Sequence, residues 1–256
     1  MLLNMTVEKE PETMQALTTL QQHILRCTQC PRLVEYRTRV AREKRRQYRQ
    51  EDYWGKPLPS FGDPQARLLI IGLAPAAHGG NRTGRMFTGD QSGDWVYQTL
   101  HRFGFANQPT SQHRDDGLML HDAYITAAAR CVPPDNKPSG GELAACRPYL
   151  LRELKLLRRV RVVVPLGKIA FDAYLAARHE LSLPRPDARP LFAHGAVMPF
   201  PDGVLLVASY HPSRQNTQTG RLTQAMFDAI FARVRQELDL DVPRPKPRGT
   251  SRHFAP

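Results

Sequence analysis

Five side chains stand out for the chemistry they could perform: Cys27, Cys30, Cys131, Cys146 and His211. Cys27 and Cys30 have C-x-x-C spacing, and fourteen residues separate Cys131 from Cys146. Four thiolates suit a tetrahedral zinc ion or a [4Fe–4S] cluster equally by count, and the spacing does not choose between them. A redox C-x-x-C should follow a strand of a thioredoxin-like unit, whereas this pair follows a helical pattern. Cys146 shares the apolar face of its helix with Leu143 and Leu150, which fits a core cysteine as well as a ligand. His211 lies in Ser209-Tyr210-His211-Pro212-Ser213-Arg214-Gln215-Asn216, where the proline restricts the backbone before it. Its polar neighbours make it the best candidate for chemistry in the chain. No nucleophile elbow surrounds Ser213, so that residue reads as a phosphate or backbone contact.

Two other segments carry unusual residues. Gly72–Asp90 (GLAPAAHGGNRTGRMFTGD) is long and glycine-rich and contains Arg82 and Arg85. Gly79 and Gly84 match the G-x-x-x-x-G of a phosphate-binding loop. The next residues are Arg85 and Met86, however, so the required lysine and hydroxyl are missing. The better reading is a backbone-lined pocket with Phe87 as an aromatic floor, suited to a flat heterocycle. In Arg130–Pro138, two prolines stiffen the loop around Asn136, whose amide offers both a donor and an acceptor. Taken alone, such an asparagine is more often a turn residue.

The elements that must position these residues alternate. Arg67–Leu73, Asp122–Thr126, Val160–Pro165 and Val204–Ser209 read as short buried strands. Helical periodicity marks Thr13–Ile24, Asp94–Phe103, Gly141–Arg158, Lys168–Arg178 and Thr223–Leu238, and Ser139 with Glu142 predicts a capping box. The pattern predicts an α/β fold whose mostly parallel sheet is covered on both faces. Ligands of such sheets bind beyond the carboxyl ends of the strands, and three of the four loops there hold the unusual residues. One domain is expected over residues 1–241, followed by a basic, proline-rich tail at 242–256 that should be disordered.

The net charge is +12 across 256 residues, which favours a polyanionic partner, with nucleic acid ahead of an anionic membrane surface. Eight basic and two acidic residues between Arg32 and Arg49 form a solvated face or a phosphate-facing one. No apolar run is long enough to cross a membrane and no secretory signal is evident, so a cytoplasmic protein is expected, in which cysteines bind metal or are simply buried.

The first loop together with Ser209–Asn216 resembles the two signature motifs of family 5 (type b) uracil-DNA glycosylases. Ile125–Pro138 (ITAAARCVPPDNKP) resembles the family's middle block, and Phe61–Pro64 (FGDP) also fits. The resemblance spans roughly Cys27 to Leu238. It implies a three-layer α/β/α fold with a central, mostly parallel four-stranded sheet. It implies that the four cysteines hold a structural [4Fe–4S] cluster. It also implies removal of uracil, and in some members hypoxanthine or other damaged bases, from double-stranded DNA. Other glycosylases of this fold carry an acidic or amide residue near the start of the first motif, where this chain has Leu73, Ala74, Pro75, Ala76 and Ala77. Many relatives place an asparagine where Ala127 stands here. Family 5 shares both gaps, which loosen the expected selectivity for uracil.

On this reading His211 donates to the leaving uracil anion, while Asp90 and Asn136 hold the water. Ala76, Ala77, Asn81, Arg85 and Phe87 line the base pocket. Arg82, Ser213, Arg214, Gln215 and Asn216 contact DNA, with Arg85 also near the phosphates. A monomer performing simple hydrolysis is expected, since no lysine is placed as a nucleophile. The rival expectation is a catalytically weak iron–sulfur protein that binds DNA or senses damage.

Overall fold

A computed structural model describes residues 9–238, so the expected tail at 242–256 lies outside the described residues. The chain opens with α1 (Lys9–Leu25) and α2 (Pro31–Glu43). It continues through β1 (Phe61–Gly62), β2 (Leu68–Gly72), α3 (Gly80–Thr83), α4 (Gln91–Arg102) and β3 (Ala123–Ala127). Then come α5 (Gly140–Leu156), β4 (Val162–Pro165), α6 (Lys168–Glu180), β5 (Val197–Pro199), β6 (Leu205–Val207), α7 (Arg214–Gln218) and α8 (Gln224–Glu237).

The sheet order is β1-β3-β2-β4-β6-β5. The four expected strands form its parallel centre, with Ile70 opposite Ile125 on one side and Val164 on the other. The sheet is six-stranded rather than four-stranded because β1 and β5 add antiparallel edges. Both edges are two or three residues long and one contains a proline, so neither leaves the alternating apolar signature of a longer strand.

Every residue of β2, β3 and β4 is buried, as expected of a sheet covered on both faces. Strand alternation divides the core in two. Leu68 and Ile70 pack with Val96, Leu100, Phe227 and Phe231 beneath α4 and α8. Leu69 and Ile71 pack with Leu17, Leu150, Phe171 and Tyr174 beneath α1, α5 and α6. The three-layer α/β/α arrangement follows directly. The Ser139–Glu142 capping box forms with bonds of 3.2 and 2.7 Å and fixes the start of α5. The cysteines come from α1's end, the N-cap of α2, the loop after β3 and the middle of α5.

Candidate active site

The loop after β2 folds back on itself. Arg85 is 3% exposed and makes a 2.7 Å ion pair with Asp116. Its guanidinium also donates to Ser111 Oγ at 2.7 Å and to Thr88 Oγ1 at 3.1 Å. Arg82 donates to the carbonyls of His78 and Gly89, pairs with Glu51 and lies 3.9 Å from the centroid of the Tyr48 ring. Both arginines therefore hold the loop's own backbone. This corrects the expectation that they face phosphate, because their donors are already committed inside the protein. Asn81 is likewise fully buried, with its amide donating to the Arg37 carbonyl at 3.2 Å, so it stands behind the pocket rather than in its wall.

That bracing holds Phe87 in a left-handed backbone conformation (φ 53°), unusual for an aromatic residue. Gly72, where β2 ends, permits it: a Cβ there would come within 2.9 Å of Phe87 Cζ. The Phe87 ring lies 5.9 Å from the His211 ring, tilted by 35°. The parallel strands β2 and β6 thus deliver the aromatic floor and the imidazole to one place.

Burial pushes His211 down to about 4, so the ring is neutral at neutral pH. Among the described residues its nitrogens have no hydrogen-bond partner, whereas its carbonyl accepts from Asn216 Nδ2 at 2.8 Å. Ser213 caps α7 by accepting from the Asn216 N–H at 3.3 Å. Ser213 and Asn216 thus shape the loop, while the Ser213 hydroxyl proton and the Asn216 amide oxygen are left over. Arg214 and Gln215 remain exposed.

Between Asp90 of the first loop and Arg214 of the second opens a cleft of about 610 Å³, whose lining does not include Phe87 or His211. Ala76, Ala77, His78, Asp90, Asn136 and Arg214 line it, together with Tyr36, Arg45 and Tyr48. Asp90 caps α4 by accepting from the Gly93 N–H at 2.9 Å, and burial raises its pKa. Asn136 sits at φ 56° in a turn held by its N–H donating to the Pro133 carbonyl. A larger hollow of about 790 Å³ between α1 and α5 lies away from the strand ends, so it is not the natural site for this chemistry. Tyr36, Arg45, Tyr48 and His78 were not singled out in the sequence. The basic run from Arg32 to Arg49 signalled the first three as a face, and His78 was visible only as one residue of the glycine-rich loop. Its Nδ1 lies 3.0 Å from Tyr53 Oη.

Residues 59–235 match the family model described as the uracil DNA glycosylase superfamily. A type-5 uracil-DNA glycosylase of Thermus thermophilus is 54% identical over 215 residues, covering 84% of this chain and 95% of that protein. This chain belongs to the type-5 family of that superfamily. A type-5 uracil-DNA glycosylase of Mycobacterium leprae is 48% identical, with 84% of this chain and 93% of the relative covered. The corresponding figures for one from Pyrobaculum aerophilum are 45%, 82% and 88%. The matched residues include both loops, with Phe87 and His211.

The four cysteines are free thiols drawn into one electrostatic neighbourhood. Burial and the neighbouring Cys146, Cys27 and Cys30 push Cys131 up to about 12, against the favourable charge of Arg37. Among the described residues no group of three or more Cys, His, Asp or Glu side chains is arranged to hold a metal ion. No described helix is long and apolar enough to cross a membrane.

Proposed function

We propose that this chain hydrolyses the N-glycosidic bond of uracil in double-stranded DNA, with hypoxanthine and other deaminated bases as further substrates. The observation that carries this reading is the Phe87–His211 pair, 5.9 Å apart where the loops that follow β2 and β6 meet. A base inside a duplex is inaccessible, so the target nucleotide is flipped into the protein, where Phe87 offers a stacking surface. His211, neutral and with free ring nitrogens, donates to the oxygen where negative charge collects as the base departs. A hydrogen bond of that kind needs no imidazolium. Asp90 and Asn136, both in the cleft wall, hold the attacking water. Arg214 and Arg45, exposed at the same cleft, meet the phosphates.

Among the described residues no lysine lines the cleft. An amine nucleophile is needed for Schiff-base chemistry, so simple hydrolysis without strand cleavage is the reading this wall supports. We further propose a monomeric, cytoplasmic enzyme.

The resemblance implies a [4Fe–4S] cluster on Cys27, Cys30, Cys131 and Cys146, and the donor set fits it. All four donors are sulfur, and a cubane binds one thiolate at each iron. Cys27, Cys30, Cys131 and Cys146, from the end of α1, the N-cap of α2, the loop after β3 and α5, would hold it. Purified protein should be brown with about four irons per chain. Colourless protein containing one zinc would refute the cluster.

The enzymatic reading is tested by incubating a uracil-containing duplex with excess protein and cleaving abasic sites with alkali. Time-dependent strand scission that appears only after alkali is expected. Tight binding without scission would favour a DNA-binding protein instead.

A further inference from the structure

Among the described residues five arginines are buried: Arg37, Arg82, Arg85, Arg130 and Arg178. Four of them pair with a carboxylate, respectively Glu51, Asp116, Glu153 and Asp202 for the last four named. Arg37 does not. Its Nη1 donates instead to Cys131 Sγ at 3.3 Å, while its buried Nε has no partner, as in Arg130 and Arg178. It is 6% exposed and lies one helical turn beyond Leu33 on the buried face of α2, where the repeat calls for an apolar side chain.

A guanidinium stays charged under all protein conditions, and a buried charge is costly unless it is paired. The other four buried arginines meet this requirement. Arg37 meets it only if negative charge resides on the sulfur it touches. Four thiolates holding a [4Fe–4S] core carry net negative charge, which a neutral thiol does not.

We propose that Arg37 is the built-in counter-charge of the four-cysteine centre and raises its reduction potential. This inference rests on the cluster reading above. Reduction adds one electron and hence one negative charge to the centre, so a fixed cation beside it favours the reduced form. The other buried arginine near these sulfurs, Arg130, is paired with Glu153 and so has no charge left over for them. Arg37 is a positioning residue, not a catalytic one. It also stands between the two sites: its carbonyl receives the Asn81 amide from behind the first loop, and its neighbour Tyr36 lines the cleft.

The test uses the full chain purified without oxygen, with iron content and the midpoint of its accessible one-electron couple measured by mediated titration with dithionite. Arg37→Gln keeps a hydrogen-bond donor and removes the charge. Arg37→Lys keeps the charge and changes the geometry. The glutamine variant should shift the oxidised-to-reduced ratio at fixed potential about tenfold towards oxidised, about 59 mV more negative for a one-electron couple, or lose its iron. The lysine variant should keep its iron and stay near the wild-type midpoint. Equal behaviour of the two variants, whether both unchanged, both shifted or both iron-free, would overturn the proposal. Wild-type protein without iron would instead overturn the cluster reading itself.

Discussion

The loop after β2 and the loop after β6 end at the same cleft, yet they treat their polar side chains in opposite ways. In the first, Arg82, Arg85, Thr83 and Thr88 bond to backbone or to neighbouring side chains, and Tyr97 Oη adds a 2.8 Å bond to the Met86 carbonyl. In the second, Ser213 and Asn216 shape the backbone while the His211 ring, Arg214 and Gln215 stay uncommitted. The first loop is a mould that holds Phe87 in a strained conformation. The second presents groups to a ligand. A residue's type does not reveal which role it has, since arginine appears in both loops.

Substitutions in the mould should affect folding, and substitutions in the presenting loop should affect rate or binding. The largest effect is expected from Arg85→Ala. It leaves the largely buried Asp116 without its cation and should lower stability by about 3–5 kcal/mol, read from urea unfolding. A loss under 1 kcal/mol would mean the loop does not depend on that pair. Next comes His211→Ala. Single-turnover uracil release should fall about a hundredfold, about 2.7 kcal/mol in the barrier, with DNA affinity and stability nearly unchanged. A stability loss matching that of Arg85→Ala would erase the distinction between the loops.

The same histidine yields a pH prediction. Its folded pKa, about 4, lies below the unfolded value near 6.5. Above pH 6.5 neither state binds the proton, so stability is unaffected by this group. Between about pH 6.5 and 4 the unfolded state takes up the proton first, and stability falls with the pH. Wild-type protein should therefore lose more stability than His211→Ala between pH 7 and pH 5. Parallel losses would mean that the ring is not held neutral by burial.

Asp90 belongs to both loops' chemistry, as a helix cap and as a cleft carboxylate. Asp90→Asn keeps the acceptor for the Gly93 N–H, so stability should change by less than about 0.5 kcal/mol. The rate should drop about tenfold, or about 1.4 kcal/mol, if the carboxylate positions water. A full rate in this variant would confine Asp90 to capping. The smallest effect is expected for Arg214→Ala: weaker binding to all duplexes alike, with the salt dependence of log Kd reduced by about one unit. An unchanged salt slope would show that its charge does not reach a phosphate.

The site itself shows how unevenly it could be read in advance. Phe87, His211, Asp90 and Asn136 were legible because each stands in a loop that parallel-strand logic already places at the ligand-binding edge. Tyr36, Arg45 and Tyr48 come from a helix and turn far upstream, and only their neighbours' charge hinted at them. Asn81, Arg82 and Arg85 were assigned to ligands because a polar side chain in a glycine-rich loop usually faces outward. Their partners, Arg37, Glu51 and Asp116, lie 44, 31 and 31 residues away, and no local pattern reveals such pairings.

The amino-acid sequence alone determined the parallel core, its two covering layers and the loops at its functional edge. Those depend on local signals: apolar runs in β2, β3 and β4, helical periodicity, and turn and capping residues. The tertiary structure alone decided which polar groups are left over for a ligand. A guanidinium or amide bonds to whatever the fold brings within about 3 Å. Only after Arg85 has met Asp116, and Arg37 has met a sulfur instead of a carboxylate, is it settled which residues hold the site and which act in it.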